Sequence, residues 1–90
     1  METMGERIAK ARMYMNLNQR ELAKKANLTE ANLSRYENGI REPKSAVLAR
    51  LADALEVSTD YLVGLTDEKT YDSYDVSKKD EDDILLALKD

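Results

Sequence analysis

Ninety residues suffice for one domain of ordinary size, or a small domain with an extension, and leave little room for a two-domain enzyme with its own cleft. Apolar residues make up 42% and charged residues 36%, a folded-chain balance, while the lack of Cys and His excludes disulfides, thiolate or imidazole metal sites and histidine catalysis. The net charge of −4 conceals a division, because residues 1–50 hold ten Lys/Arg against six Asp/Glu (+4) and residues 51–90 hold four against twelve (−8), as in a basic binding surface followed by an acidic extension.

Thr3 with Glu6 forms a capping box, and Met4, Ile8, Ala11 and Met15 then share one face, which predicts a first helix from about Thr3 to Met15. Asn16 suits the left-handed residue that ends it. Asn18 with Glu21 opens a second, short helix to about Lys25, stapled by Leu17 and Leu22. Ala26, Asn27 and Leu28 form the next connection, with Asn27 again suited to a positive φ. Thr29 caps a third helix, stapled by Leu28 and Leu33 and stopped by Asn38-Gly39. Pro43 and Ser45 mark a fourth start, with Leu48, Leu51, Ala52 and Leu55 as its buried stripe. Val57-Ser58 begins a fifth helix carrying Tyr61 and Leu62, closed by Gly64. No stretch alternates with a period of two, so the expected fold class is all-α.

Residues 65–76 carry Asp, Glu, Thr, Ser and Tyr without periodicity and read as an acidic linker or arm after a 1–64 domain. From Ser77 a sixth short helix can start, with Asp80–Asp83 favoured by its dipole and Ile84, Leu85 and Leu88 on one face. That makes 77–90 a candidate segment for dimerisation or partner binding. With so few turns the helix is marginal alone.

The pair of helices at 18–37, joined by a short turn, has the helix-turn-helix arrangement, whose second helix enters the DNA major groove. Any helical bundle contains such pairs, so the wording of the segment matters more. Asn18-Gln19-Arg20-Glu21-Leu22-Ala23, then Leu28-Thr29 and Leu33-Ser34-Arg35-Tyr36-Glu37-Asn38-Gly39, resembles the lambda-repressor-like, Cro/C1-type family of bacterial and phage regulators. Arg41-Glu42-Pro43, Leu51-Ala52, Leu55, Val57-Ser58 and Tyr61-Leu62 resemble the rest of that domain, so the likeness covers about residues 5–64 and stops before 65–90.

The resemblance implies a compact five-helix DNA-binding domain, with roles assigned position by position. Leu22, Leu28, Leu33 and Tyr36 would anchor the recognition helix 29–37 in the core. Glu30, Ala31, Asn32 and Arg35 occupy the positions the family turns to base edges. Arg35 can fork onto guanine O6 and N7, or clamp a phosphate; Asn32 can bond adenine N6 and N7; Ala31 can meet a thymine methyl. Glu30 departs from the usual uncharged or basic residue. It can accept from cytosine N4 or simply favour the helix dipole. Gln19, first in the second helix, can meet a phosphate with backbone and amide donors, and in the family it also braces the recognition helix. Asn18, Asn38, Arg41 and, more weakly, Lys44 complete the implied phosphate contacts, while Ile40 replaces a basic residue often seen in that loop. The family also pairs the positions of Arg12 and Glu37 as a partly buried structural ion pair.

Other signals carry less. Asn27-Leu28-Thr29 and Asn32-Leu33-Ser34 satisfy the glycosylation pattern inside expected helical structure, and read as chance. Asp80–Asp83 lacks the spaced oxygens, central Gly and terminal Glu of a calcium loop, so no metal or cofactor is expected. Nothing marks a nucleophile or a cleft, so enzyme activity is not expected. The longest apolar run, Ile84–Leu88, is five residues against the roughly 20 that span a bilayer, and Met1–Arg7 lacks a signal-peptide core. The expected location is cytoplasmic. The leading functional expectation is a sequence-specific transcriptional regulator, a repressor binding a palindromic operator as a homodimer. The alternatives are a protein-interaction regulator of antitoxin or controller type, whose acidic tail binds a partner protein that modulates DNA binding, and a non-specific DNA-coating protein.

Overall fold

Serine, threonine and asparagine side chains open four of the five helices. Thr3 Oγ1 accepts from Glu6 N (3.1 Å), Asn18 Oδ1 from Glu21 N (2.8 Å), Thr29 Oγ1 from Asn32 N (3.1 Å) and Ser58 Oγ from Tyr61 N (3.0 Å). Each bond satisfies an N–H that the helix itself cannot pair. The computed structural model describes residues 1–69. It forms α1 (Met4–Tyr14), α2 (Gln19–Lys25), α3 (Glu30–Glu37), α4 (Ser45–Leu55) and α5 (Thr59–Val63), with no strand among the described residues. The first helix ends one residue short of Met15, which is its C-cap. At α4 the cap position is Lys44, which makes no side-chain bond.

The five helix ends share one geometry. A residue with positive φ follows each helix: Asn16 (59°), Asn27 (58°), Gly39 (73°), Glu56 (58°) and Gly64 (89°). The next N–H then reaches back five residues, from Leu17 to Arg12 O, Leu28 to Ala23 O, Ile40 to Arg35 O, Val57 to Ala52 O and Leu65 to Asp60 O. This is the Schellman arrangement, which pairs carbonyls left over at the last turn and favours an apolar residue at its end. Leu17 and Leu28 pack against the core and Val57 is buried within it, whereas Ile40 and Leu65 stay exposed. Glu56 was not expected there: a glutamate bears the cost of the left-handed backbone that glycine avoids.

Ile8, Leu22, Leu33, Leu51, Leu55 and Leu62 are fully buried and form the centre of the core, with Tyr36 and Tyr61 beside them. Leu48, expected in the buried stripe of α4, is only half-buried at its edge. Helix α3 packs on α2 and α1, and α5 closes the other side against α1 and α4. The approach of α1 to α3 needs a glycine. A Cβ on Gly5 would lie 2.5 Å from the Tyr36 carbonyl oxygen and closer still to that of Glu37.

Residues 65–69, the beginning of the segment read from sequence as a linker or arm, are held against the helices. Ser58 N donates to Lys69 O (2.9 Å), and the Lys69 ammonium lies 5.4 Å from the Tyr14 ring centroid. Arg7, buried on α1, donates to Tyr61 O (2.9 Å), Thr66 O (2.7 Å) and Asp67 Oδ1 (2.7 Å). The expected helix from Ser77, with Ile84, Leu85 and Leu88, lies outside the described residues, as do Tyr71, Tyr74 and Val76, which the sequence adds to the same candidate partner or dimer surface. No helix of the described residues is long and apolar enough to cross a membrane.

Candidate nucleic-acid interface

Helix α3 is two-faced because its apolar residues fall three apart. Leu33 and Tyr36 are buried, with Leu28 half-buried just before the helix, so the opposite edge must face water. On that edge Glu30, Ala31 and Arg35 are exposed and Asn32 is half-buried. The edge is internally organised, since Arg35 Nη1 donates to Asn32 Oδ1 at 3.1 Å. Glu30 lies 4.0 Å from Arg20 Nε, across the gap to α2.

Below this edge, a charged cluster holds α3 in place. Arg12 Nε and Nη2 donate to the two Glu37 carboxylate oxygens (2.7 and 3.2 Å), and Arg12 Nη1 donates to Leu17 O (2.8 Å). Gln19 Nε2 adds a third bond to Glu37 (2.9 Å). The Glu37 side chain is only 6% exposed and that of Arg12 14%, so both charges depend on each other and on these hydrogen bonds. One carboxylate thus joins α1, the start of α2 and the end of α3.

The residues expected to meet phosphates fall into two groups. Asn18 and Gln19 sit at the start of α2, and Asn38, Arg41 and Lys44 lie after α3. Asn18, Arg41 and Lys44 are exposed. The Gln19 amide nitrogen gives one N–H to Glu37, which leaves its second N–H and the backbone N–H groups as the donors at this helix start. Asn38 Nδ2 is likewise turned back, to Ser34 O (2.9 Å) and Ser34 Oγ (3.3 Å).

Three features escaped the sequence reading. Arg20 beside Glu30 carried only a weak signal, two charges ten residues apart flanking a turn. Gly5 looked like any early-helix glycine, and its role exists only where α3 crosses it. Arg50 reaches from α4 to donate to Ala26 O (2.9 Å), closing the end of α2; no local pattern announces that bond.

Residues 8–62 match the profile of the helix-turn-helix family HTH_3. The chain is similar to the HTH-type transcriptional regulator ImmR of Bacillus subtilis, with 41% identity over 83 residues, covering 92% of this chain and 59% of ImmR. It therefore spans less than two thirds of that relative's length. Among solved structures it is similar to the P22 c2 repressor in complex with a synthetic operator, with a TM-score of 0.68 and 33% identity over 70% of this chain and 96% of that one. It is also similar to a chain of the SinR–SinI protein complex, with a TM-score of 0.64 and 30% identity, covering 67% of this chain and 59% of that one.

Proposed function

Because this chain belongs to the helix-turn-helix family HTH_3, we propose that it is a sequence-specific DNA-binding transcriptional regulator, acting as a repressor on a two-fold symmetric operator. One observation carries the reading. The edge formed by Glu30, Ala31, Asn32 and Arg35 is free of the core, on a helix anchored by Leu33 and Tyr36 and braced through Glu37. The likeness to a repressor chain seen with its operator supports the same use of that edge. Residues 30, 31, 32 and 35 meet base edges in the major groove. Asn18, Gln19, Asn38, Arg41 and Lys44 meet phosphates; Gln19 donates through its backbone N–H, while Asn38, whose backbone N–H is bonded to Ser34 O, does so by turning its side-chain amide away from Ser34.

One α3 reads only a few base pairs, so two copies engage half-sites about 34 Å apart on one face of the duplex. Repression follows from occlusion of a promoter. The test is selection of bound sequences from random DNA, followed by affinity at physiological salt. Affinity for the selected site about 10³-fold or more above scrambled DNA is expected, and equal affinity for both overturns the proposal.

A protein partner is a second reading, supported by the likeness to the SinR–SinI complex and by the −8 charge of residues 51–90, which repels DNA. Comparing the oligomeric state and DNA affinity of the full chain with those of residues 1–69 tests it. Identical behaviour removes residues 70–90 from either role.

A further inference from the structure

The folded unit expected from sequence ends at residue 64, yet the chain is still tied to the start of α5 at Lys69. We infer that the unit continues to Tyr71, whose ring docks in a cleft between the end of α1 and the α4–α5 turn of the same chain. This docking does not depend on DNA binding.

The cleft has a volume of about 130 Å³. Tyr14 and Met15 line it from the end of α1, Leu55 and Val57 line it from the α4–α5 turn, and its charged groups are Glu56 and Lys69. Apolar spaces of about 150 Å³ hold a benzene ring and stay free of water. Tyr14 is 77% exposed, so one wall is an aromatic ring with a face open to a second ring.

The path of the chain decides the occupant. Lys69 O accepts from Ser58 N at 2.9 Å, which fixes the peptide group leading into residue 70 beside Val57. The Lys69 ammonium lies 5.4 Å from the Tyr14 ring centroid and 5.7 Å from that of Tyr61, so the Lys69 side chain already reaches over the cleft. In extended backbone, side chains two residues apart point to the same side. Tyr71 is two residues on, and it is the first large side chain after Lys69. Tyr74, Val76 and Ile84–Leu88 are the further apolar candidates, and each would close a longer loop at a greater entropic cost. A side chain from a second copy competes against a tethered one, whose effective concentration over so short a connection is in the millimolar range.

The cleft shares no residue with the reading edge of α3 or with the expected phosphate contacts. Residues 72–90 therefore start from a different part of the surface than the one offered to DNA.

The test uses the full chain with labelled methyl groups. Nuclear Overhauser contacts are expected from the Tyr71 ring to the methyls of Leu55 and Val57. In a mixture of labelled and unlabelled copies, these contacts should arise within one chain. Y71A should remove them, lower the melting temperature by about 5 °C, the scale of one docked side chain in a domain of this size, and speed tryptic cleavage after Lys69. Y71F should behave as the wild type, because the cleft takes the ring. Y74A makes the same truncation three residues later and should leave the melting temperature and the cleavage rate unchanged. Contacts found only between copies overturn the proposal by giving the cleft to a dimer. The absence of any contact from Tyr71, or equal effects of Y71A and Y74A, overturns it outright.

Discussion

Arg7 and Arg12 both leave α1 to tie a neighbouring segment to it, but they hold by different physics. Arg12 pairs with Glu37, whose side chain is 6% exposed, while Arg7 pairs with Asp67, whose side chain is 96% exposed. A carboxylate kept from water has no substitute for its partner, whereas an exposed one is solvated whether or not the pair forms. Arg7 instead relies on the carbonyls of Tyr61 and Thr66 and on the Tyr61 ring, whose centroid lies 4.6 Å from its guanidinium. The recognition helix is thus held by a charge pair that fails if either member is removed. The segment after α5 is held by backbone acceptors that no single side-chain change deletes. The hydrogen bond that Arg7 donates to Asp67 raises the Arg7 pKa above its ordinary value, against the opposing effect of desolvation.

The largest expected break in this comparison is Glu37→Ala. It leaves Arg12 charged in poor solvent and frees Gln19 and the end of α3, and should destabilise the fold by about 3 kcal/mol. Thermal unfolding measures this, and an unchanged melting temperature would show that the pair contributes nothing. Replacing Arg12 and Glu37 together by Met and Leu should recover most of the loss, since a buried charge pair and an apolar pair of similar volume are nearly equivalent in stability.

Arg7→Met comes next. It abandons two carbonyls but leaves no buried charge, so its melting temperature should fall by less than that of Glu37→Ala, with faster proteolysis between residues 65 and 69. An equal or greater fall would mean that the backbone contacts outweigh the buried pair. Asp67→Ala should be smaller again, within about 0.5 kcal/mol, because its partner keeps both carbonyls. A loss as large as that of Arg7→Met would reverse the assignment.

The smallest effect concerns pH. A hydrogen bond from Lys10 (2.6 Å), aided by the charges of Lys10 and Arg7, holds the Glu2 carboxyl below its ordinary value of 4.5. A depressed carboxylate stabilises the fold above its unfolded pKa and loses that contribution as pH falls through the folded one. The wild type should therefore lose slightly more stability below pH 4.5 than Glu2→Gln does, with the two curves parallel at neutral pH. Identical acid limbs would show the Glu2–Lys10 pair to be without effect.

Much of this architecture is local in origin and could be read from the chain. The boxes at Thr3/Glu6 and Asn18/Glu21 close on themselves within four residues, so no other part of the molecule is needed to place those helix starts. Asn16, Asn27, Gly39 and Gly64 announce their left-handed backbone by residue type. Glu56 adopts the same backbone without any such signal, because burial of Val57 just beyond it requires the turn there. Arg7 reads as a surface charge of an amphipathic helix, and its burial depends on carbonyls 54 and 59 residues away. At the interface, the family resemblance separated the inward Leu33 and Tyr36 from the outward edge, in keeping with their spacing of three. Which acceptor Arg35 would occupy was beyond it.

The chain by itself determined where the helices begin and end and which side of each is apolar, since capping and periodicity act over one or two turns. Tertiary structure alone decided that Gly5 would admit α3, that the Gln19 amide would join the Arg12–Glu37 pair on one carboxylate, and that Arg7 would hold residues 66 and 67. Each of these depends on groups far apart in sequence meeting at hydrogen-bond or van der Waals distance. Their energy comes from exclusion of water at the meeting point, a property of the packed molecule that no short segment carries.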